Sequence, residues 1–338
     1  LILGDFDNTV SLTATESGVG GTADDIIGCT SQVTVATLDL GDGDDSVVLA
    51  STVNTVTVID VETITGGATD DTVVLGSQAA GQVLDLGEGN DTLTLGDFVN
   101  TVTVTNVETV VGGVSSDTVT LGAATTGFTI GLGEGDDRLI LDAAGGTVTV
   151  TDIETVTGGA ADDLVTLATQ ATGGIVDLEG GSDRLVLGDF ANTVTVSNVE
   201  TLTGGSVDDT VVLGAASSGL VVDLGDGSDT LTLDAAGATL TVTNVETVTG
   251  GAGDDTVVLG EASAGLSIDL GGGDNKLTLG NFVNTLTVSN MSTVTGGTTN
   301  DIVTLATQVT GGAVDLGAGS DALTLGAFVN TVTVSNIE

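Results

Sequence analysis

No proline, histidine, tryptophan or tyrosine occurs in the sequence, and cysteine and methionine occur once each. Histidine is the commonest general acid and base, and a single lysine, Lys276, is all that could replace it. Catalysis within these residues is therefore not expected. The lone Cys29 rules out an intrachain disulfide and a thiolate metal cluster, so any bound metal must be held by oxygen. Basic residues are nearly missing as well. Against 48 Asp and Glu there are 3 Lys and Arg, a formal charge of −45, which excludes nucleic acid as a partner and repels anionic membrane surfaces. The small partner such a chain attracts is a cation. No apolar run approaches the roughly 20 residues of a membrane span, so no transmembrane segment is expected. With no initiator Met and no signal-peptide pattern, targeting information is expected to lie elsewhere.

What is present is repetition. High charge alone favours disorder, but 40% of the residues are hydrophobic, most of them β-branched, more than a solvated chain carries. Aligned on Asn-Thr-Val-Thr-Val, the sequence divides into seven full copies of 46 residues: 8–53, 54–99, 100–145, 146–191, 192–237, 238–283 and 284–329. Partial copies at 1–7 and 330–338 match a repeat end and a repeat beginning. Residues 1–338 thus read as a single solenoid array, and as a stretch of a longer one. In copy 238–283, Leu240 and Val242, Leu266, Ile268 and Leu270, and Leu277 and Leu279 alternate with polar residues, the period-2 pattern of strands with one buried face. Gly, Asn or Asp bounds each run, and helical spacing is nowhere seen. The pattern predicts an all-β, rod-shaped parallel β-solenoid, a β-roll or β-helix in which each coil stacks on a copy of itself.

Each copy holds two Gly-Asp motifs. The first, fullest as Gly-Gly-Ala-Gly-Asp-Asp from Gly250, has at its sixth position Asp25, Asp71, Asp117, Asp163, Asp209, Asp255 and Asp301. The second, as in Leu-Gly-Asp-Gly-Asp-Asp from Leu40, has there Asp45, Asp91, Asp137, Asp183, Asp229, Asn275 and Asp321. These motifs resemble the repeats-in-toxin family, whose nonapeptide Gly-Gly-x-Gly-x-Asp-x-apolar-x builds a calcium-binding β-roll. The resemblance implies Ca2+ at the Gly-Asp turns with the sixth-position residues as ligands, aided by Asp254 or Asp274 where Asn275 stands. It also implies an extracellular or cell-surface protein of a Gram-negative bacterium with type I secretion. The chemistry agrees, since glycine permits tight turns with positive φ and oxygen-only ligands suit Ca2+. The pattern also departs from the family's: the first motif lacks its fourth-position glycine at Thr69, Ser115, Ala161, Val207 and Thr299, so calcium is expected to be sparser than in a pure nonapeptide array.

Sixth-position residues are 20 apart within a copy, as in Asp209 and Asp229, and 26 apart to the next copy, as in Asp229 and Asp255. Twenty residues make one coil of a two-sided roll and put both on one edge; two coils per copy and two and a half both remain open. Glu62, Glu108, Glu154, Glu200 and Glu246 read as a solvated outward face. Asp60, Asn106, Asp152, Asn198, Asn244 and Asn290 read as corners whose side chains bond their own backbone. Arg138, Arg184 and Lys276 share one position and read as local charge relief. Thr-x-Thr runs such as Thr101, Thr103 and Thr105 form ranks resembling the ice-binding faces of some solenoid antifreeze proteins, though Thr is also a common outward strand residue. The function expected is a calcium-stabilised structural segment, an adhesin stalk, surface-layer or fibre element whose partners are calcium ions and other copies of itself. The alternative is a secretion and folding module attached to a toxin or hydrolase domain.

Overall fold

The computed structural model describes residues 1–13 and 17–338. The described residues form 36 short strands and no helix. They fall into two compact units, Leu1–Thr169 and Gln170–Glu338. Each unit is built the same way: the chain alternates between two parallel sheets, and a strand pairs with the second one after it.

Copy 54–99 shows the construction. Its strands are Thr55–Ile59, Thr63–Gly67, Thr72–Leu75, Ala80–Gly87 and Thr92–Thr94. On one sheet Thr55 pairs with Thr72, Thr72 with Thr92 and Thr92 with Thr109. On the other, Thr63 pairs with Val83 and Val83 with Thr103. A coil therefore takes 17 or 20 residues, with a bulge where Gly81 is passed over. Five strands per copy is an odd number, so a copy makes two and a half coils and its successor starts on the opposite sheet. Thr55–Ile59 and Thr101–Thr105, equivalent in sequence, belong to different sheets. This decides the coil length that spacing alone left open.

Alternation supplies the core. Val56, Val73, Leu93, Val110, Ile130 and Val150 form one inward rank in the first unit, none more than 2% exposed. Val211, Leu231, Val248, Ile268, Val288 and Leu305 do the same in the second. Full burial of each such side chain stabilises by roughly 1.5–3 kcal/mol, and branching at Cβ suits the pleated surface. Outward positions between them hold Thr, as in the in-register rank Thr55, Thr72, Thr92, Thr109, Thr129, Thr149 and Thr166. Glycine serves two different ends. A Cβ on Gly66 would collide with the Leu86 carbonyl of the next coil, so the first motif's paired glycines let coils stack backbone to backbone. In the second motif Gly87 and Gly89 have φ of 90° and 148°, the left-handed region that favours glycine.

Candidate metal centre

The residue that closes each Gly-Asp turn, at the threshold of the following strand, points into the solenoid. Asp25, Asp45, Asp71, Asp91, Asp117, Asp137, Asp163, Asp183, Asp209, Asp229, Asp255, Asn275, Asp301 and Asp321 all occupy this place, none more than 2% exposed. Asn54, Asn100, Asn192 and Asn284 hold the equivalent corner at the start of their copies and are equally buried. Sequence reasoning passed over these asparagines, although their recurrence at the head of the repeat was a visible signal.

Along each edge the corners form a ladder. The Asn8 N–H donates to Asp25 Oδ1 at 3.0 Å, the Asp25 N–H to Asp45 Oδ1 at 2.6 Å, and the Asp45 N–H to Glu62 Oε2 at 2.7 Å. Asn54, Asp71, Asp91 and Glu108 repeat it on the opposite edge at 2.9, 2.6 and 2.7 Å. Asn192, Asp209, Asp229 and Glu246 repeat it in the second unit at 3.0, 2.6 and 2.8 Å. Asp117 and Asp137 are joined likewise at 2.7 Å, and Asp301 and Asp321 at 2.8 Å. Residues 20 apart thus lie on adjacent coils of one edge. The 26-residue step crosses three strands and carries the next pair to the other edge. Asp163 is buried in the first unit and Asp183 in the second.

Two readings of the sequence are corrected. Glu62, Glu108, Glu154, Glu200 and Glu246 are not simply a solvated face: each accepts a corner N–H from the preceding coil at 2.7–2.8 Å. A main-chain donor at a buried corner needs an acceptor, and Glu is long enough to supply one from a more exposed position. Asp60, Asn106, Asp152, Asn198, Asn244 and Asn290 are left-handed corners with φ of 51–57°. Yet the amides of Asn106, Asn198, Asn244 and Asn290 donate to Asp85, Asp177, Asp223 and Asp269 of the preceding coil, not to their own backbone.

One oxygen of Asp25, Asp45, Asp71, Asp91, Asp117, Asp137, Asp163, Asp209, Asp229, Asp255, Asp301 and Asp321 is thus satisfied by a main-chain N–H of the neighbouring coil. In the first motif, the N–H of the glycine four residues earlier reaches the second oxygen of Asp71 at 3.4 Å and of Asp163 at 3.2 Å. Oδ2 of Asp45, Asp91, Asp137, Asp229 and Asp321 in the second motif, and of Asp25, Asp117, Asp209, Asp255 and Asp301 in the first, is buried with no hydrogen-bond partner. Desolvation pushes the carboxyls of Asp45, Asp91, Asp137 and Asp229 up to about 6; the N–H they accept opposes this, and neighbouring acids, Glu62, Glu108, Glu154 and Glu246 among them, add to it. Burial also raises Asp71, Asp117, Asp163, Asp255 and Asp301. A buried carboxylate oxygen without a donor calls for a proton or a cation. An all-oxygen turn fits a hard cation such as Ca2+. Among the described residues no three acidic, histidine or cysteine side chains gather as a metal cluster, so a cation here would rest on few carboxylates and on main-chain carbonyls. Asp254 and Asp274 lie outside the buried corner, exposed, with the Asp274 N–H donating to Asp254 Oδ1 at 2.7 Å.

No family model and no curated protein matches the chain. Among solved structures it is similar to a hyperactive, Ca2+-dependent, β-helical antifreeze protein from an Antarctic bacterium, at 17% identity over 95% of this chain and 83% of that one, with a TM-score of 0.20. At that score the likeness carries no inference about this chain.

Proposed function

We propose that the chain is a calcium-stabilised structural segment of a secreted or cell-surface bacterial protein, an adhesin stalk, surface-layer or fibre element. The observation that carries this reading is the set of buried, donorless aspartate oxygens at the Gly-Asp turns: Asp45, Asp91, Asp137, Asp229 and Asp321 in the second motif and Asp25, Asp117, Asp209, Asp255 and Asp301 in the first. A cation at such a turn neutralises carboxylates that otherwise repel across closely spaced coils. Sites made of few carboxylates are weak, and weak sites with Kd on the order of 10⁻⁴–10⁻³ M belong to extracellular modules, where calcium is abundant. A strictly repeated surface offers a spacer or lattice contact, with other copies of the chain as partners, and gathers no converging catalytic groups.

Thermal melting followed by circular dichroism tests the reading. Each site should contribute about 1.4 kcal/mol at a tenfold excess of Ca2+ over its Kd, so melting in millimolar Ca2+ should lie well above melting in excess chelator. Identical melting curves in the two buffers would show that the acids only solubilise.

A further inference from the structure

The second-motif turn at 270–275 is built from different residues than its counterparts. Asn275 stands where the other copies have Asp, and seventeen residues on, Ser292 stands where they have Glu62, Glu108, Glu154, Glu200, Glu246 and Glu338. Both acids are lost together. Asn275 keeps one task of the corner, since its Oδ1 accepts the Asp255 N–H at 2.9 Å as Asp229 Oδ1 accepts the Asp209 N–H at 2.6 Å. Its amide nitrogen performs another, donating to the carbonyls of Leu270 at 3.2 Å, Gly272 at 3.0 Å and Asn290 at 2.9 Å. In the copy before, the equivalent carbonyls belong to Leu224, Asp226 and Asn244, and the atom equivalent to that nitrogen is Asp229 Oδ2, which has no partner. Glu246 brings a second carboxylate to the same corner, its Oε2 2.8 Å from the Asp229 N.

We propose that one calcium ion binds at corners where an Asp and a Glu seventeen residues later meet on adjacent coils, among them Asp45 with Glu62, Asp91 with Glu108, Asp137 with Glu154 and Asp229 with Glu246. The two carboxylates and the turn carbonyls are its ligands. The Asn275–Ser292 corner is the same corner in a cation-free form, with an amide nitrogen in the place of the ion. Two negative charges balance one divalent cation, and removing both charges removes the need for it. This rests on the calcium reading above and deepens it, making Glu246 and its counterparts ligands.

The test is calcium stoichiometry of the full chain by native mass spectrometry, for the wild type, for D229N/E246S and for N275D/S292E. The first variant should bind one Ca2+ fewer and the second one more, and D229N/E246S should melt higher than the wild type in excess chelator. Should D229N/E246S fail to fold, the gain in N275D/S292E decides alone. Unchanged stoichiometry in the folded variants overturns the pairing while leaving the calcium reading in place; a wild type that binds no Ca2+ overturns that reading itself. E246Q alone should weaken one site by tenfold or more, and undiminished binding at every site would remove Glu246 from the ligand set.

Discussion

At the scale of the residue, proton and cation compete for the same buried oxygen. The carboxyls of Asp45, Asp91, Asp137 and Asp229 rise from an ordinary 3.8 to about 6 in the fold. Between those values the native chain holds protons that the unfolded chain has released, so their contribution to stability is complete below about pH 4 and is lost as pH rises through 6. In excess chelator the protein should melt higher at pH 5 than at pH 7, and saturating Ca2+ should flatten that slope; a chelated protein that melts lower at pH 5 would contradict the burial argument. Glycine makes a separate demand. Gly66→Ala places a methyl against the Leu86 carbonyl, where main chain, not a pliable side chain, must yield. A loss of about 1–3 kcal/mol is expected, read from urea denaturation in Ca2+.

At the scale of the strand and turn, much was legible in the sequence because the inward rank leaves a strict alternation of Val, Leu and Ile. The strands, their parallel stacking and the 20-residue adjacency of Asp209 with Asp229 follow from it. The two and a half coils per copy did not, because coils of 17 and 20 residues are mixed and an odd strand number hides the change of sheet. Glu62 and its counterparts were misread for a physical reason: a side chain half in solvent carries no burial signal, and its bond to the Asp45 N–H depends on a coil seventeen residues away. Asn275 was legible only as a missing charge; its three carbonyl contacts needed coordinates. These contacts imply uneven local stability when calcium is withdrawn. In chelator, the Asp255 amide, which donates to Asn275 Oδ1, should exchange its hydrogen more slowly than the Asp209 amide, which donates to Asp229 Oδ1. Equal exchange would mean that the amide corner is no more secure than the acidic one.

At the scale of the whole molecule, a repeat protein's stability is a sum of near-neighbour terms, so copies can be removed and the remainder read. Deleting residues 201–246 takes out Asp229 and Glu246 together and should cost one bound Ca2+, whereas deleting residues 247–292 takes out Asn275 and Ser292 and should cost none. Equal losses from the two deletions would refute the assignment of the corners. The odd number of strands per copy also gives the array a parity. Phe6 and Phe98 are 92 residues apart, five whole coils or about 24 Å, and share an edge of the first unit, while Ala144 takes the equivalent turn on the other edge. In the second unit Phe190 and Phe282 share one edge, and Ala236 and Phe328 the other. A gene that gains or loses one copy by unequal recombination therefore turns everything downstream by half a coil and moves its surface pattern to the opposite face, and one that gains or loses two restores it. Lengthening without loss of pattern is possible only in even steps, so the heritable unit of this surface is the pair of copies.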